Sequence, residues 1–150
     1  MKGDTMNRYR LLFSLLAFLP IANAAVDADG FVRIKPDEIV YNGGSDTAPA
    51  IAVLAGDPEK EGFYLLRAKF APGVMSPPHY HQTDRHVTVI SGTWYTGTGR
   101  EFDRENTVAL PPGSYMMHPA GAIHYDGSKG GEVIVEIKGI GPASTVRLQQ

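Results

Sequence analysis

The chain of 150 residues has no cysteine, which excludes a disulfide framework and a lipid-bearing cysteine behind an export signal. Positive charge is sparse and scattered: 14 Lys+Arg against 16 Asp+Glu give a formal net charge of −2, with no basic cluster. That balance argues against nucleic acid as a partner. Apolar runs are short. The longest uninterrupted stretch of weakly polar character, Leu11 to Leu19, stops at Pro20, well below the roughly 20 residues needed to span a bilayer. Internal repeats and convincing amphipathic helices are missing after residue 24. So are a nucleophile elbow, a phosphate-cradling glycine loop and a paired-histidine zinc-protease signature.

What is present begins with the segment 1–24. Lys2, Arg8 and Arg10 precede the apolar stretch, Met6 offers an alternative start, and Ala22-Asn23-Ala24 has the small-x-small cleavage pattern. These features predict an export signal removed after Ala24. A buried helix is the competing reading, and the lack of a polar face counts against it. Residues 25–150 are then expected to form a single exported domain, periplasmic or secreted, with no membrane association after cleavage.

That domain reads as a succession of short β-rich runs separated by Gly, Pro and Asp. They are 31–34, 38–41, 51–54, 63–70, 86–90, 93–96, 108–110, 114–118, 132–137 and 145–148. Asn42-Gly43-Gly44 reads as a turn, and 99–107 as a polar hairpin loop. Strands of this length and spacing indicate an all-β sandwich or barrel.

All five histidines, at 79, 81, 86, 118 and 124, fall within one third of the chain. Side chains alternate along a strand with period two, so His79 and His81 point to the same side. A third imidazole delivered from another strand would complete a pocket able to hold a metal ion. His86 and His118 read as ordinary core or surface residues. Trp94, Tyr95, Tyr80, Tyr64, Met116 and Met117 read as packing, and Pro77-Pro78 as an extended approach to His79.

Gly73, His79, His81 and Gly92, followed by Gly113, Pro119, Gly121 and His124, resemble the two signature motifs of the cupin superfamily. The first block occupies 73–92 and the second 113–128. The resemblance implies a double-stranded β-helix (jelly-roll) barrel, a metal held by His79, His81 and His124, and pairing into a homodimer. It departs from the family pattern where it matters most: Arg85 stands where cupins carry a metal-binding Glu, and Ser128 replaces the final Asn. A guanidinium about 6 Å from a divalent ion is disfavoured by about 5 kcal/mol at an effective dielectric of about 20.

Arg85 therefore has three dispositions open to it. It binds an anionic group of the substrate inside the barrel, or it pairs with an internal acid, for which Glu136 is the candidate. The third is a register that turns Arg85 outward and His86 inward. Asp126 is placed to orient a ligand histidine. Imidazole ligands suit Fe or Mn, which the resemblance favours, and also Zn, Ni or Cu. The implied activity is metal-dependent chemistry on a small organic, anionic molecule, foremost oxygenation, with Arg85 and Glu136 as the catalytic candidates beside the metal. Metal-dependent isomerase or lyase chemistry, or a non-catalytic binding module, would use the same three ligands.

Overall fold

A computed structural model describes residues 26–148. Eleven strands follow one another: β1 (Asn42–Ser45), β2 (Ala48–Ala55), β3 (Gly62–Phe70), β4 (Met75–His81), β5 (Arg85–Ser91) and β6 (Trp94–Thr98), then β7 (Val108–Leu110), β8 (Tyr115–His118), β9 (His124–Gly127), β10 (Val133–Gly141) and β11 (Thr145–Arg147). A six-stranded sheet has the order β1-β2-β3-β10-β5-β8, and a five-stranded sheet the order β11-β4-β9-β6-β7. Every pairing is antiparallel. This is the double-stranded β-helix expected of the chain. The export-signal segment 1–24 lies outside the described residues.

The entry to the barrel differs from expectation. Residues 31–34 and 38–41 are not strands: Val32 makes only an isolated bridge with Val26, and Pro36–Glu38 is a single 3₁₀ turn. The first strand is instead Asn42–Ser45, where the Asn-Gly-Gly reads as a turn. Glycine is a poor strand former in isolation, but β1 is an edge held by pairing to β2, and pairing outweighs local preference there. The 99–107 loop is as expected, exposed at nearly every position and joining β6 to β7.

The barrel interior has two chemically distinct ends. One is an apolar plug of Ala68, Phe70, Val74, Val87, Val89, Trp94, Val133 and Val135. The other is polar, and strand alternation delivers both from the same elements. Along β5, Arg85, Val87 and Val89 face inward while His86 and Ile90 are exposed. Along β10, Val133 and Val135 face inward, which sends Glu136 to the opposite face.

Gly92 ends β5 at a left-handed φ of 73°, and any Cβ there would collide with the Glu132 carbonyl. A side chain at this position is excluded both by conformation and by space.

Candidate metal centre

The histidines reach the interior because β4 is irregular. Its pairing with β9 matches Ser76 with Asp126 and His79 with His124, so β4 spends three steps where β9 spends two. The extra residue falls at Pro77-Pro78. Proline has no N–H to give to a ladder and is accommodated at bulges. The consequence is a change of face. With even register, Pro78 would sit opposite His124 and both β4 histidines would turn outward. The bulge puts His79 and His81 on the same face as His124 and Asp126.

A second local device closes the site. Gly121, with φ of 76°, donates its N–H to the His81 carbonyl at 2.8 Å. The Pro119–Ala122 turn (Ala122 N–H to Pro119 O, 3.1 Å) is thereby pinned to β4 just before His124 enters β9.

His79, His81, His118 and His124 are 7%, 4%, 4% and 2% exposed, so all four imidazoles are desolvated. The ring centroids of His79, His81 and His124 lie 4.4–5.1 Å from one another. Each of the three has its Nδ1 occupied: His79 against Pro77 O at 2.8 Å, His124 against Ala122 O at 2.9 Å, and His81 against Ser144 O and the Thr145 hydroxyl, both at 3.3 Å. An Nδ1–H that donates to a carbonyl leaves the lone pair on Nε2. The ligand atoms of the three lie within 4.8 Å of one another.

The protonation states agree with this arrangement. Burial, reinforced by Arg85 and the neighbouring imidazoles, pushes His81 down to about 2. Burial does the same to His118, with His124, His79 and Arg85 adding to it. His124 is also lowered, chiefly by burial. Burial thus favours the neutral form of His81, His118 and His124, which is the form a metal requires. The donor set therefore fits a transition metal: three buried imidazoles with ligand atoms within 4.8 Å of one another, one of them, His124 Nε2, buried with no hydrogen-bond partner among the described residues.

The site opens into a cavity of about 400 Å³. Its walls are apolar on the β2–β3 side (Ile51, Leu66, Ala68, Phe70) and polar where the histidines, Arg85 and Asp126 converge. Arg85 lines this cavity, which excludes the register that turns it outward. Among the described residues its one side-chain hydrogen bond is a long one, Nη2 to Ala143 O at 3.5 Å, and its Nε is buried without a partner. Burial lowers the guanidinium from its ordinary value, yet arginine keeps its charge. Beside it, burial raises the Tyr64 phenol, and the Arg85 charge pulls the other way.

Two expectations are corrected. Glu136 does not meet Arg85: it pairs with Arg67 through Nε and Nη2, both at 3.2 Å. Glu136 and Arg67 are directly opposed across β10 and β3, on the face away from the cavity. His86 does not turn inward either; it is exposed, with Nδ1 2.7 Å from the Tyr115 hydroxyl.

His118, read from sequence as unremarkable, belongs to the centre. Its ring centroid is 3.7 Å from that of His124, and its Nε2 is buried without a partner among the described residues. Its cross-strand neighbour is Arg85. Asp126 is buried as well, with Oδ2 3.7 Å from His124 Nε2, and desolvation raises its carboxyl above the usual range.

A family model described as a domain of unknown function, DUF4437, matches residues 37–140. Over 84 residues the chain is 32% identical to germin-like protein subfamily 1 member 7 of Arabidopsis thaliana, covering 53% of this chain and 37% of the plant protein. The chain thus spans well under half the length of that relative. Among solved structures, the polyketide cyclase RemF from Streptomyces resistomycificus superposes with a TM-score of 0.62 at 18% identity, covering 80% of this chain and 88% of that one. A protein with a cupin-like fold from Ralstonia eutropha superposes with a TM-score of 0.54 at 29% identity, covering 69% and 60%.

Proposed function

The chain belongs to the DUF4437 family within the cupin superfamily, and from that premise we propose that it is an exported, mononuclear metal-dependent enzyme that oxygenates a small organic anion. The observation that carries the reading is the set of three buried imidazoles with Nδ1 tied to backbone carbonyls and Nε2 left free. His79, His81 and His124 would hold the ion. Iron or manganese at such a site supplies an electrophilic, redox-active centre with open positions.

The remaining chemistry belongs to the chain's own side chains. Arg85 offers a desolvated guanidinium whose planar fork matches a carboxylate in two parallel hydrogen bonds. A charge held in a cavity with so little internal compensation costs free energy until an anion arrives. Leu66, Ala68, Phe70 and Ile51 enclose the rest of the substrate and exclude water from it. The 1–24 segment would deliver the domain to the periplasm or the medium.

A second reading, metal-assisted isomerisation or elimination without dioxygen, is favoured by Asp126. Its raised carboxyl faces the cavity and can accept a substrate proton at Oδ2 at neutral pH once a nearby cation favours its ionised form. The two are separated by loading the purified protein anaerobically with Fe(II), Mn(II) or Zn(II) and presenting a panel of small carboxylates. Oxygen uptake that depends on the carboxylate and on Fe(II) or Mn(II) supports oxygenation. Turnover without oxygen, with Zn(II) as competent as Fe(II), supports the second reading. A carboxylate that raises the melting temperature and is recovered unchanged under every condition reduces the protein to a binding module.

A further inference from the structure

The centre holds more donors than one ion position uses. His118, His124 and Asp126 form a second set whose ligand atoms lie within 4.8 Å of one another. The two sets have only His124 in common. We propose that the ion has two mutually exclusive positions in this cavity, one held by His79, His81 and His124 and the other by His118, His124 and Asp126. This rests on the metal-dependent reading above and adds to it where the ion sits.

Three observations lead there. The Nε2 atoms of His118 and His124 are both buried with no hydrogen-bond partner among the described residues. A buried polar nitrogen left bare is costly, so two within one close, tilted pair, 3.7 Å between centroids, point to a shared missing partner. Asp126 brings a buried carboxylate to this cluster of imidazoles, and its Oδ2 sits 3.7 Å from the shared nitrogen. Exclusivity follows from His124 itself. Its Nδ1 is engaged by Ala122 O at 2.9 Å, which leaves a single lone pair, and one lone pair serves one ion.

The two sets differ in kind. Three imidazoles leave the ion with its full positive charge, whereas two imidazoles and a carboxylate reduce it by one and form the ligand type found at non-haem iron(II) sites. An incoming organic anion is drawn more strongly to the ion in the three-imidazole position, where no protein carboxylate offsets its charge. Substrate binding would therefore favour transfer of the ion from the second set to the first.

The test uses Co(II) as probe with the full chain, its folded state checked by circular dichroism before each titration. Stoichiometry and affinity are measured by calorimetry for the wild type, for His81→Ala, for Asp126→Asn and for the double variant. The expected result is one Co(II) per chain in the wild type and in each single variant, with visible spectra that differ between the two single variants, and loss of binding in the double variant. If His81→Ala alone abolishes binding while Asp126→Asn leaves affinity and spectrum unchanged, the second position does not exist and the three-histidine reading stands. Two ions per wild-type chain would overturn exclusivity. A wild type that binds no ion would overturn both proposals together.

Discussion

Two arginines on the six-stranded sheet show how differently the two faces of one barrel treat a charge. Arg67 projects outward from β3 and meets Glu136 directly across the ladder, with both side chains about a quarter exposed. Arg85 projects inward from β5 and meets no carboxylate within hydrogen-bond reach among the described residues. The first is a self-contained structural pair, of the kind worth at most about 1 kcal/mol where water still reaches it. The second is a desolvated charge with no hydrogen-bonded counter-ion among the described residues, offset through space by the buried Asp126. Cores shed such groups unless a ligand completes them, which is the ground for proposing the anion site on the inward face.

The inward face depends most on His124, the residue that both proposed ion positions need. His124→Ala is expected to leave no transition metal after dialysis, read as metal per chain by elemental analysis, while circular dichroism keeps its β signature. Retention of a stoichiometric ion would remove the centre from this cavity. Next come the two arginines themselves. Arg85→Leu should weaken binding of small carboxylates about ten- to 100-fold, corresponding to the ~1.5–3 kcal/mol of hydrogen bonds to charged groups. The same substitution should leave the ligand-free protein equally or more stable in urea. Arg67→Leu should do the reverse, losing about 1 kcal/mol of stability with carboxylate binding intact. Equal effects from the two would erase the distinction between the faces.

Acid sharpens it further. His81 and His118 stay neutral in the folded chain down to about 2, whereas in the unfolded chain each takes up a proton below pH 6.5. The unfolded state then binds more protons, so the metal-free protein is fully stable above that pH and loses stability as pH falls through the window between 6.5 and about 2. The slope reaches about 1.4 kcal/mol per pH unit for each residue. Urea midpoints for wild type and His118→Gln between pH 7.5 and 4.5 check it, the variant giving the shallower slope. The smallest effect is expected at His86→Ala. That exposed ring touches only Tyr115 in the hydrogen-bond network, and stability should change by less than about 0.5 kcal/mol with metal content unchanged.

Much of this centre can be read from the chain alone, because spacing along one strand carries it. His79 and His81 share a face by period two, and the positive-φ glycines at 73, 92, 113 and 121 mark where strands must turn. Alternation carries more than the histidine pair. Val133 and Val135 facing inward already send Glu136 outward, and Val87 and Val89 already turn Arg85 inward and His86 outward. His118 was harder to find. Its importance comes from β8 pairing with β5 and from the close, tilted approach of its ring to His124, contacts between segments that no local pattern encodes. The bulge at Pro77-Pro78 is likewise a property of the β4–β9 pairing, although two successive residues unable to donate a ladder hydrogen bond are a signal for it. The Asn42-Gly43-Gly44 segment misleads for the same reason: its strand exists only through its partner.

Both proposed ion positions require imidazole nitrogens inside this barrel to ligate one ion. X-ray absorption at the cobalt edge of the Co(II)-loaded wild-type protein tests it most directly. The expected spectrum shows the multiple scattering of at least two imidazole rings, with nitrogen at about 2.0–2.2 Å. A shell of oxygen ligands alone, with no ring scattering, would contradict it.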